Sequence, residues 1–197
     1  MPGRVPGDVS GGLVPIAEPA LQRLRMSWEE YLELPERPRA EWVAGEVVVS
    51  PPVGPDHGFA AVSLAAELRR HLPDGVVFTE VGLRLPGDRL RAPDVMVTDR
   101  WPEGAWVVDP PVLVAEVLSP STRSEDTVGK SAEYAAGGVG QYWILDPEQR
   151  WLEVLQADRG GWTPLLRLDD ETPRGQVVVP GHGVVHLDLT TLLRPAP

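Results

Sequence analysis

The sequence contains no cysteine among its 197 residues. The chain can therefore form no disulfide, and it offers neither a thiolate ligand for a metal nor a cysteine nucleophile. It also lacks an apolar run near the roughly 20 residues that a membrane-spanning helix needs, and it has no basic and then apolar leader segment. With 42% hydrophobic residues, enough for a core, these absences predict one domain without a membrane segment, located in the cytoplasm.

Positive charge is scarce, because 18 Lys and Arg face 29 Asp and Glu and give a formal net charge of −11. Such a surface disfavours non-specific binding to nucleic acid, so any contact with DNA must come from a local group of arginines. Arg84, Arg89 and Arg91 fall within eight residues and are the best candidates for contacts with DNA phosphates. The alternative is that these arginines, close to acidic residues, are ordinary surface groups.

Lysine is the rarest basic residue, because 17 of the 18 basic residues are arginine and only Lys130 is lysine. An ammonium is a compact charge whose pKa burial can lower, whereas a guanidinium is planar and stays charged. A chain that uses arginine everywhere else and lysine here indicates a chemical role for Lys130. The alternative is chance survival of one lysine under a compositional bias.

Proline and glycine mark the beginning of the chain. Residues 1–24 are rich in both and show no helical or strand periodicity, which predicts a flexible arm ahead of a single domain at 25–194. A capping-box pattern predicts a short helix at 28–34. An apolar stripe predicts a second helix at 57–71, with Asp56 as its N-cap, that covers one face of a sheet.

Short extended runs alternate with these helices. A hairpin at 39–50 and antiparallel strands between 76 and 98 are predicted from β-branched residues and turn signals. Because a helix separates the strands at 111–118 and 139–147, these two strands are predicted to be parallel. The loop at 101–111 is long enough to predict a lid or a wall of a binding site. The fold class is therefore α/β with a mixed sheet (α+β), flanked by helices.

Two acidic residues occupy unusual places in this pattern. Asp94 opens a strand, and Glu116 lies in the middle of a near-continuous apolar run that is typical of a strand covered on both faces. An ionised carboxylate is costly there unless a cation or donors meet it. Two carboxylates on adjacent strands repel each other unless a divalent cation lies between them, which predicts a site for a hard metal ion.

The helix after Glu116 carries Asp126, Lys130 and Tyr134 at intervals of four residues, which places them on one helical face. One interpretation is that this face belongs to an active site. The other is an ordinary ion pair between Asp126 and Lys130 on an exposed helix, worth only a few tenths of a kcal/mol.

An ordered series of motifs carries a resemblance to a known family. It consists of E-W-V-A-G-E-V-V-V-S-P-P at 41–52, His57, A-P-D-V-M-V at 92–97, V-A-E-V-L-S-P-S-T at 114–122, Asp126, Lys130, Tyr134 and G-V-G-Q-Y-W-I-L-D-P at 138–147. The series resembles the Uma-type family of putative restriction endonucleases, within the PD-(D/E)XK nuclease superfamily.

The resemblance implies a restriction-endonuclease-like core and a nuclease that depends on Mg²⁺, with Mn²⁺ able to substitute. It implies that Asp94 and Glu116 are metal ligands, that the carbonyl of Val117 lies near the ion, and that Glu41 completes the acidic cluster. Leu118 stands where the superfamily pattern has its lysine. The resemblance implies that Lys130 takes that role from the following helix.

Three hypotheses of function follow. The first is a metal-dependent endonuclease that hydrolyses phosphodiester bonds in DNA, and the second is a catalytically silent nuclease-fold module that binds DNA or a protein. The third is a glycosidase that uses Asp94 and Glu116 without a metal and gives Lys130 no necessary role. DNA is the expected partner, and a homodimer is the assembly to be tested.

Overall fold

The computed structural model describes residues 21–34, 40–120, 123–159 and 161–194. The helices are α1 (Trp28–Leu32), α2 (Pro55–His71), a π-helix (Glu125–Lys130) that continues directly into α3 (Ser131–Ala136), and α4 (Leu189–Leu192). The strands are β1 (Gln22–Arg25), β2 (Ala40–Val43), β3 (Glu46–Val49), β4 (Val76–Phe78), β5 (Leu83–Leu85), β6 (Arg89–Arg91), β7 (Val95–Thr98), β8 (Leu113–Val117), β9 (Gln141–Asp146), β10 (Trp151–Asp158), β11 (Gly161–Leu168), β12 (Arg174–Val179) and β13 (Gly183–Asp188).

The central sheet has six strands in the order β11-β10-β9-β8-β7-β4. Strands β8 and β9 are parallel, as the intervening helix predicts, and their register pairs Glu116 with Ile144. The other neighbours in this sheet are antiparallel, and Val95 of β7 pairs with Ala115 of β8. The predicted mixed sheet flanked by helices is therefore confirmed.

A second sheet has the order β1-β3-β2-β6-β5 and is antiparallel throughout. Its β2–β3 hairpin turns at Ala44 and Gly45, whose φ values of 49° and 91° are the left-handed conformation that tight hairpin turns require. The segment expected to form one antiparallel meander is divided, because β4 joins the central sheet while β5 and β6 join the second one. Strands β12 and β13 form a separate antiparallel ribbon.

The central sheet has an apolar core on each face. On one face, α2 packs Ala60, Leu64 and Leu68 against side chains such as Val95 and Ala115. On the other face lies a second cluster that includes the following buried residues: Met96, Val114, Leu118, Tyr134, Tyr142 and Ile144. Because side chains alternate along a strand, Glu116 points to the second face together with Val114. The sheet therefore carries its buried acid on the side opposite α2.

Several local expectations differ from the structure. Residues 22–24, predicted to belong to a flexible arm, lie in β1 and pair with β3, while residues 1–20 of that arm are outside the described part of the chain. Helix α2 begins at Pro55 with Gly54 as its N-cap, so Asp56 belongs to its first turn instead of capping it. Helix α1 ends at Leu32, with Glu33 as its C-cap, and is therefore two residues shorter than the helix predicted at 28–34.

The loop between β7 and β8 is attached to the second sheet. Val107 donates its N–H to the Gly82 carbonyl at 2.9 Å and accepts the Arg84 N–H at 2.8 Å. These bonds favour a fixed wall over a freely opening lid. In the described ranges, no helix is both long enough and apolar enough to cross a membrane.

Two glycines differ in the space available for a side chain. A Cβ at Gly140 would lie 2.5 Å from the Val112 carbonyl oxygen, whereas a Cβ at Gly58 in α2 would meet nothing within 4 Å. We expect Gly140→Ala to lower the free energy of unfolding by about 1–3 kcal/mol, because backbone must move. Gly58→Ala should raise it by about 0.5–1 kcal/mol, because alanine favours a helix. Urea unfolding of both variants measures this contrast, and equal stabilities would contradict the packing at Gly140.

Candidate functional site

Two carboxylates meet where β7 begins beside β8. Asp94 directly precedes β7, and the pairing of Val95 with Ala115 makes Asp94 and Glu116 the next pair in register. One oxygen of Asp94, Oδ2, accepts the Val117 N–H at 2.7 Å and lies 3.2 Å from Nε2 of His57. Both carboxylates are buried, with relative exposures of 4% for Asp94 and 1% for Glu116. The strand register thus places two acids together below the surface.

Lys130 extends into this acidic cluster from the end of the π-helix. Its Nζ lies 3.0 Å from Asp126 Oδ1, 3.1 Å from Glu116 Oε1 and 3.5 Å from Glu41 Oε1. The Lys130 side chain is only 8% exposed. Glu41 comes from β2 in the second sheet, so one ammonium joins acids from three separate parts of the chain. The structure therefore brings together the four residues that the sequence predicted as catalytic.

The π-helix contributes two charged residues to the acidic cluster, Asp126 and Lys130. Asp126 and Lys130 are buried in it, whereas Val128 between them is 71% exposed. A π-helix has an i→i+5 hydrogen-bond pattern, is rare, and is often found at functional sites. The sequence predicted an ordinary helix here, because no residue pattern distinguishes the wider turn.

Arg91 is a second buried cation, and it does not contact solvent as a DNA-binding residue would. Its guanidinium donates to Glu41 at 2.9 Å, to Glu125 at 2.7 Å and to Glu133 at 2.6 Å, and its side chain is 1% exposed. The prediction that Arg91 contacts DNA phosphates is wrong for this arrangement, because three glutamates surround the guanidinium.

The two neighbouring arginines are also engaged within the protein. Arg89 pairs with Glu133 at 3.1 Å and donates to the carbonyls of Pro86 and Gly87. The Arg84 guanidinium lies 4.3 Å above the ring of Trp28, a cation–π contact. Arg89 and Arg91 thus join the second sheet to the π-helix and α3, whereas Arg84 packs on α1. Contacts of Arg84 and Arg89 with DNA phosphates stay a prediction.

Two residues outside the predicted catalytic set also belong to the site. The Tyr134 hydroxyl donates to Glu116 Oε1 at 2.5 Å, the same oxygen that Lys130 approaches. Two donors on one oxygen fix the orientation of the Glu116 carboxylate. His57 holds Asp94 from the opposite side, on the first turn of α2. Both residues stand in the motif series, and the spacing of Tyr134 from Lys130 was the available signal for its role.

The electrostatics of the cluster separate Glu116 from Glu41. Burial, assisted by the charges of Asp126, Asp94 and Glu41 and opposed by Lys130, raises the pKa of Glu116 to about 8. Burial also disfavours the charged form of Glu41, but Lys130 and Arg91 outweigh it and lower the pKa of that carboxyl. Glu41 therefore stays ionised while Glu116 gains a proton readily.

The ammonium of Lys130 is strongly stabilised. Burial alone would lower its pKa, but the charges of Glu116, Glu41 and Asp126 raise it well above its ordinary value. The shifts of Glu116 and Lys130 depend on each other, and the excess of acids over cations explains why both pKa values rise. Lys130 is therefore a donor and a fixed positive charge near neutral pH, and it is not a general base.

The donor set suits a hard cation. Mg²⁺ prefers oxygen ligands and is usually bound through one or two carboxylates while it keeps several waters, so Asp94 and Glu116 are chemically sufficient. In the described part of the chain, no three His, Asp or Glu side chains already surround one point closely enough to hold an ion. Both oxygens of Glu41 accept hydrogen bonds, from Ala92 N–H and Arg91, which makes it a poorer ligand than predicted.

The model of the Uma2 family, described as putative restriction endonucleases, matches residues 28–193. The chain belongs to this family. It is 30% identical over 129 residues to "Uncharacterized protein slr1290" of Synechocystis sp., a match that covers 61% of this chain and 68% of that protein. Its fold is similar to the crystal structure of a putative nuclease belonging to DUF820 from Anabaena variabilis, with a TM-score of 0.65 and 20% identity. That match covers 83% of this chain and 95% of the other.

The raised pKa of Glu116 predicts a pH dependence of stability without metal. Between its ordinary pKa and about 8, the folded state holds the proton more tightly than the unfolded chain, so this group makes stability fall as pH rises through that window. Glu116→Gln cannot ionise. We expect its stability relative to the native protein to increase by about 1 kcal/mol or more between about pH 5 and pH 9. Urea unfolding in EDTA measures it, and a difference independent of pH would contradict the shift.

Proposed function

We propose that this protein is a Mg²⁺-dependent endonuclease that hydrolyses phosphodiester bonds in DNA. The observation that carries the proposal is the convergence of Asp94, Glu116 and Lys130 at one place in a nuclease-family fold, with Lys130 Nζ 3.1 Å from Glu116 Oε1. Membership of a family of nuclease fold supports the reaction class, although a fold by itself does not determine chemistry. Two carboxylates beside a buried ammonium are the groups that phosphodiester hydrolysis requires.

In the proposed site, Asp94 and Glu116 hold Mg²⁺, and the Val117 carbonyl is retained as a further predicted ligand. When bound, Mg²⁺ supplies neutralisation of phosphate charge and makes water more acidic, and Mn²⁺ is expected to substitute for it. His57 and the Val117 N–H orient Asp94, while Tyr134 orients Glu116. Glu41, predicted as a ligand, is instead proposed to position Lys130 through their 3.5 Å ion pair.

Lys130 is proposed to act as an ammonium throughout. Held by three carboxylates, it has little freedom, and so it can place a positive charge and an N–H donor beside the attacked phosphate. The same contacts orient the attacking water relative to Glu116. Because the amine stays protonated, it cannot accept the proton that the attacking water releases, and that proton passes to bulk solvent.

A second candidate is a module of the same fold that binds DNA without cutting it. The depth of the site favours it, because Asp94, Glu116 and Lys130 are each no more than 6% exposed. A substrate phosphate must reach them for hydrolysis to occur. The experiments below distinguish binding from cleavage, and a homodimer remains a prediction for either function.

The first test is the dependence of cleavage and stability on metal. We expect Mg²⁺ and Mn²⁺ to raise the melting temperature of the native protein, because an ion that binds only the folded state stabilises it by mass action. Supercoiled, linear and single-stranded DNA should be cut only with metal. Asp94→Asn with Glu116→Gln should abolish both effects, whereas Glu153→Gln, a matched change on β10, should preserve them. A thermal response that survives in the double variant would assign the ion to another site.

The second test separates geometry from charge at Lys130. If Lys130 only balances the carboxylates, Lys130→Arg should retain most activity. We expect it instead to lower the cleavage rate by about ten- to a hundredfold, because a planar guanidinium cannot occupy the position of Nζ and misplaces the water. The thermal response to Mg²⁺ should persist.

Lys130→Ala serves as the companion variant in that test. It should lose cleavage as well, and it should also lower stability by about 3–5 kcal/mol, because it leaves buried carboxylates without their cation. Unfolding curves and initial cleavage rates for both variants give the two quantities separately. Cleavage near the native rate by Lys130→Arg would reduce Lys130 to an electrostatic role.

A further inference from the structure

A cavity of about 410 Å³ lies directly beside the carboxylate site. Three parts of the chain enclose it: the first turn of α2, the segment that follows β8, and the turn between β9 and β10, with the end of α4 closing one side. The volume falls within the range of about 300–1,000 Å³ that is typical of sites for small ligands. His57 lines this cavity and also contacts Asp94, so the cavity and the carboxylates share one side chain.

The imidazole of His57 has one nitrogen without a partner in the protein. Nε2 lies 3.2 Å from Asp94 Oδ2, whereas Nδ1 is buried and makes no hydrogen bond. The side chain is 9% exposed. In the tautomer that donates Nε2–H to the Asp94 carboxylate, Nδ1 is an acceptor. A buried polar atom that makes no hydrogen bond is destabilising, so a donor that reached Nδ1 after a rotation of the ring would stabilise this site.

The remaining walls combine apolar surface with charge at the rim. Leu118, Pro120, Pro147 and Leu193 supply the apolar surface. Two arginines, Arg150 and Arg194, and two acids, Asp56 and Glu148, also line the cavity. Arg194 has a side chain that is 65% exposed and is paired with Asp56 at 2.9 Å. A planar group with amino or hydroxyl donors, attached to an anion, matches these walls: the ring lies against the apolar surface and the anion faces the arginine.

We propose that this cavity receives an unpaired nucleotide of the DNA substrate, next to the phosphodiester that the carboxylate site cleaves. The inference rests on the proposed function and adds the class of substrate to it. The base lies against the proline and leucine side chains, and an amino or hydroxyl group of the nucleotide donates to His57 Nδ1. Its phosphate faces Arg194 at the rim.

A cavity of about 410 Å³ that receives a single base selects against paired DNA. A base stacked in a duplex cannot enter without leaving its partner, and the energetic cost of this extrusion is smallest for a strand that is already single. Single strands, frayed ends and unpaired flaps are therefore the expected substrates, ahead of continuous duplex.

Gly54 offers a way to fill the cavity without disturbing the carboxylates. It lines the cavity, its φ of −75° suits any residue, and a Cβ there would meet nothing within 4 Å. Gly54→Ala leaves the cavity open, whereas Gly54→Leu and Gly54→Trp fill it progressively. Gly104→Trp is the matched control, because a Cβ at Gly104 also meets nothing within 4 Å and this residue lines a different cavity.

The experiment measures binding in EDTA, where metal-dependent cleavage does not interfere. Fluorescence anisotropy is recorded with a labelled single strand of roughly 12 nucleotides and with a hairpin duplex of the same sequence. We expect the native protein to bind the single strand more tightly than the duplex by about tenfold or more. Gly54→Trp should weaken single-strand binding by about tenfold, Gly54→Leu by less, and Gly54→Ala and Gly104→Trp by under about twofold.

Each result decides the proposal independently of cleavage. Loss of single-strand binding that grows from Gly54→Ala to Gly54→Trp supports it, even if no DNA is ever cut, in which case the proposed endonuclease activity fails alone. Equal binding by all Gly54 variants, tighter binding to the duplex, or no binding to either probe overturns it. A metal-dependent activity confined to duplex DNA would overturn the cavity proposal while leaving the endonuclease intact. Unchanged melting temperatures of the Gly54 variants verify that they are folded.

Discussion

The ammonium of Lys130 is the group on which the site depends. Buried carboxylates are strongly destabilising unless cations and donors compensate for them, and this fold buries four of them near one point, Glu41, Asp94, Glu116 and Asp126. Lys130 contacts three of these four. The surplus of acid that remains raises the pKa of Glu116 and makes the site receptive to a further cation. The contacts that stabilise the buried carboxylates therefore also prepare the site to bind a cation.

Arg91 compensates further carboxylates that lie outside the contacts of Lys130. It shares Glu41 with Lys130 and reaches Glu125 at the beginning of the π-helix and Glu133 in α3. Glu125 in turn accepts a hydrogen bond from Arg23 of β1 at 2.5 Å. The second sheet is therefore joined to the helical layer through charges as well as through Leu83 and Leu85, which pack in the same apolar cluster as Tyr134. Helix α2 is joined to the opposite face of the central sheet through apolar packing. A polar junction of this kind tolerates few rearrangements, because each partner must keep its hydrogen bonds.

The sequence could predict the centre of the site because its residues differ in chemical type from the sequence pattern around them. Glu116 interrupts an apolar strand, and Lys130 is the only lysine, so both are visible without a structure. Arg91 has no such signature, because its three glutamate partners lie 34, 42 and 50 residues away and the sequence does not show that this arginine is buried. The π-helix was missed because its residues fit an α-helix equally well. The apolar residues Phe59 and Val62 of α2 are 50% and 68% exposed, because the helix turns Ala60, Leu64 and Leu68 towards the sheet.

The antiparallel register of β7 and β8 determines which changes of chain length the site can survive. Asp94 and Glu116 face each other because of pairings within the strands, and the intervening loop only has to connect them. Insertions between Pro102 and Ala105, ahead of the hydrogen-bonded Val107, would therefore lengthen a surface feature and leave the two carboxylates in place. A shift of a single residue in β8 would instead turn Glu116 towards the apolar face under α2, because successive side chains point to opposite faces. Length variation among relatives should accordingly accumulate in the loop and be excluded from the strand.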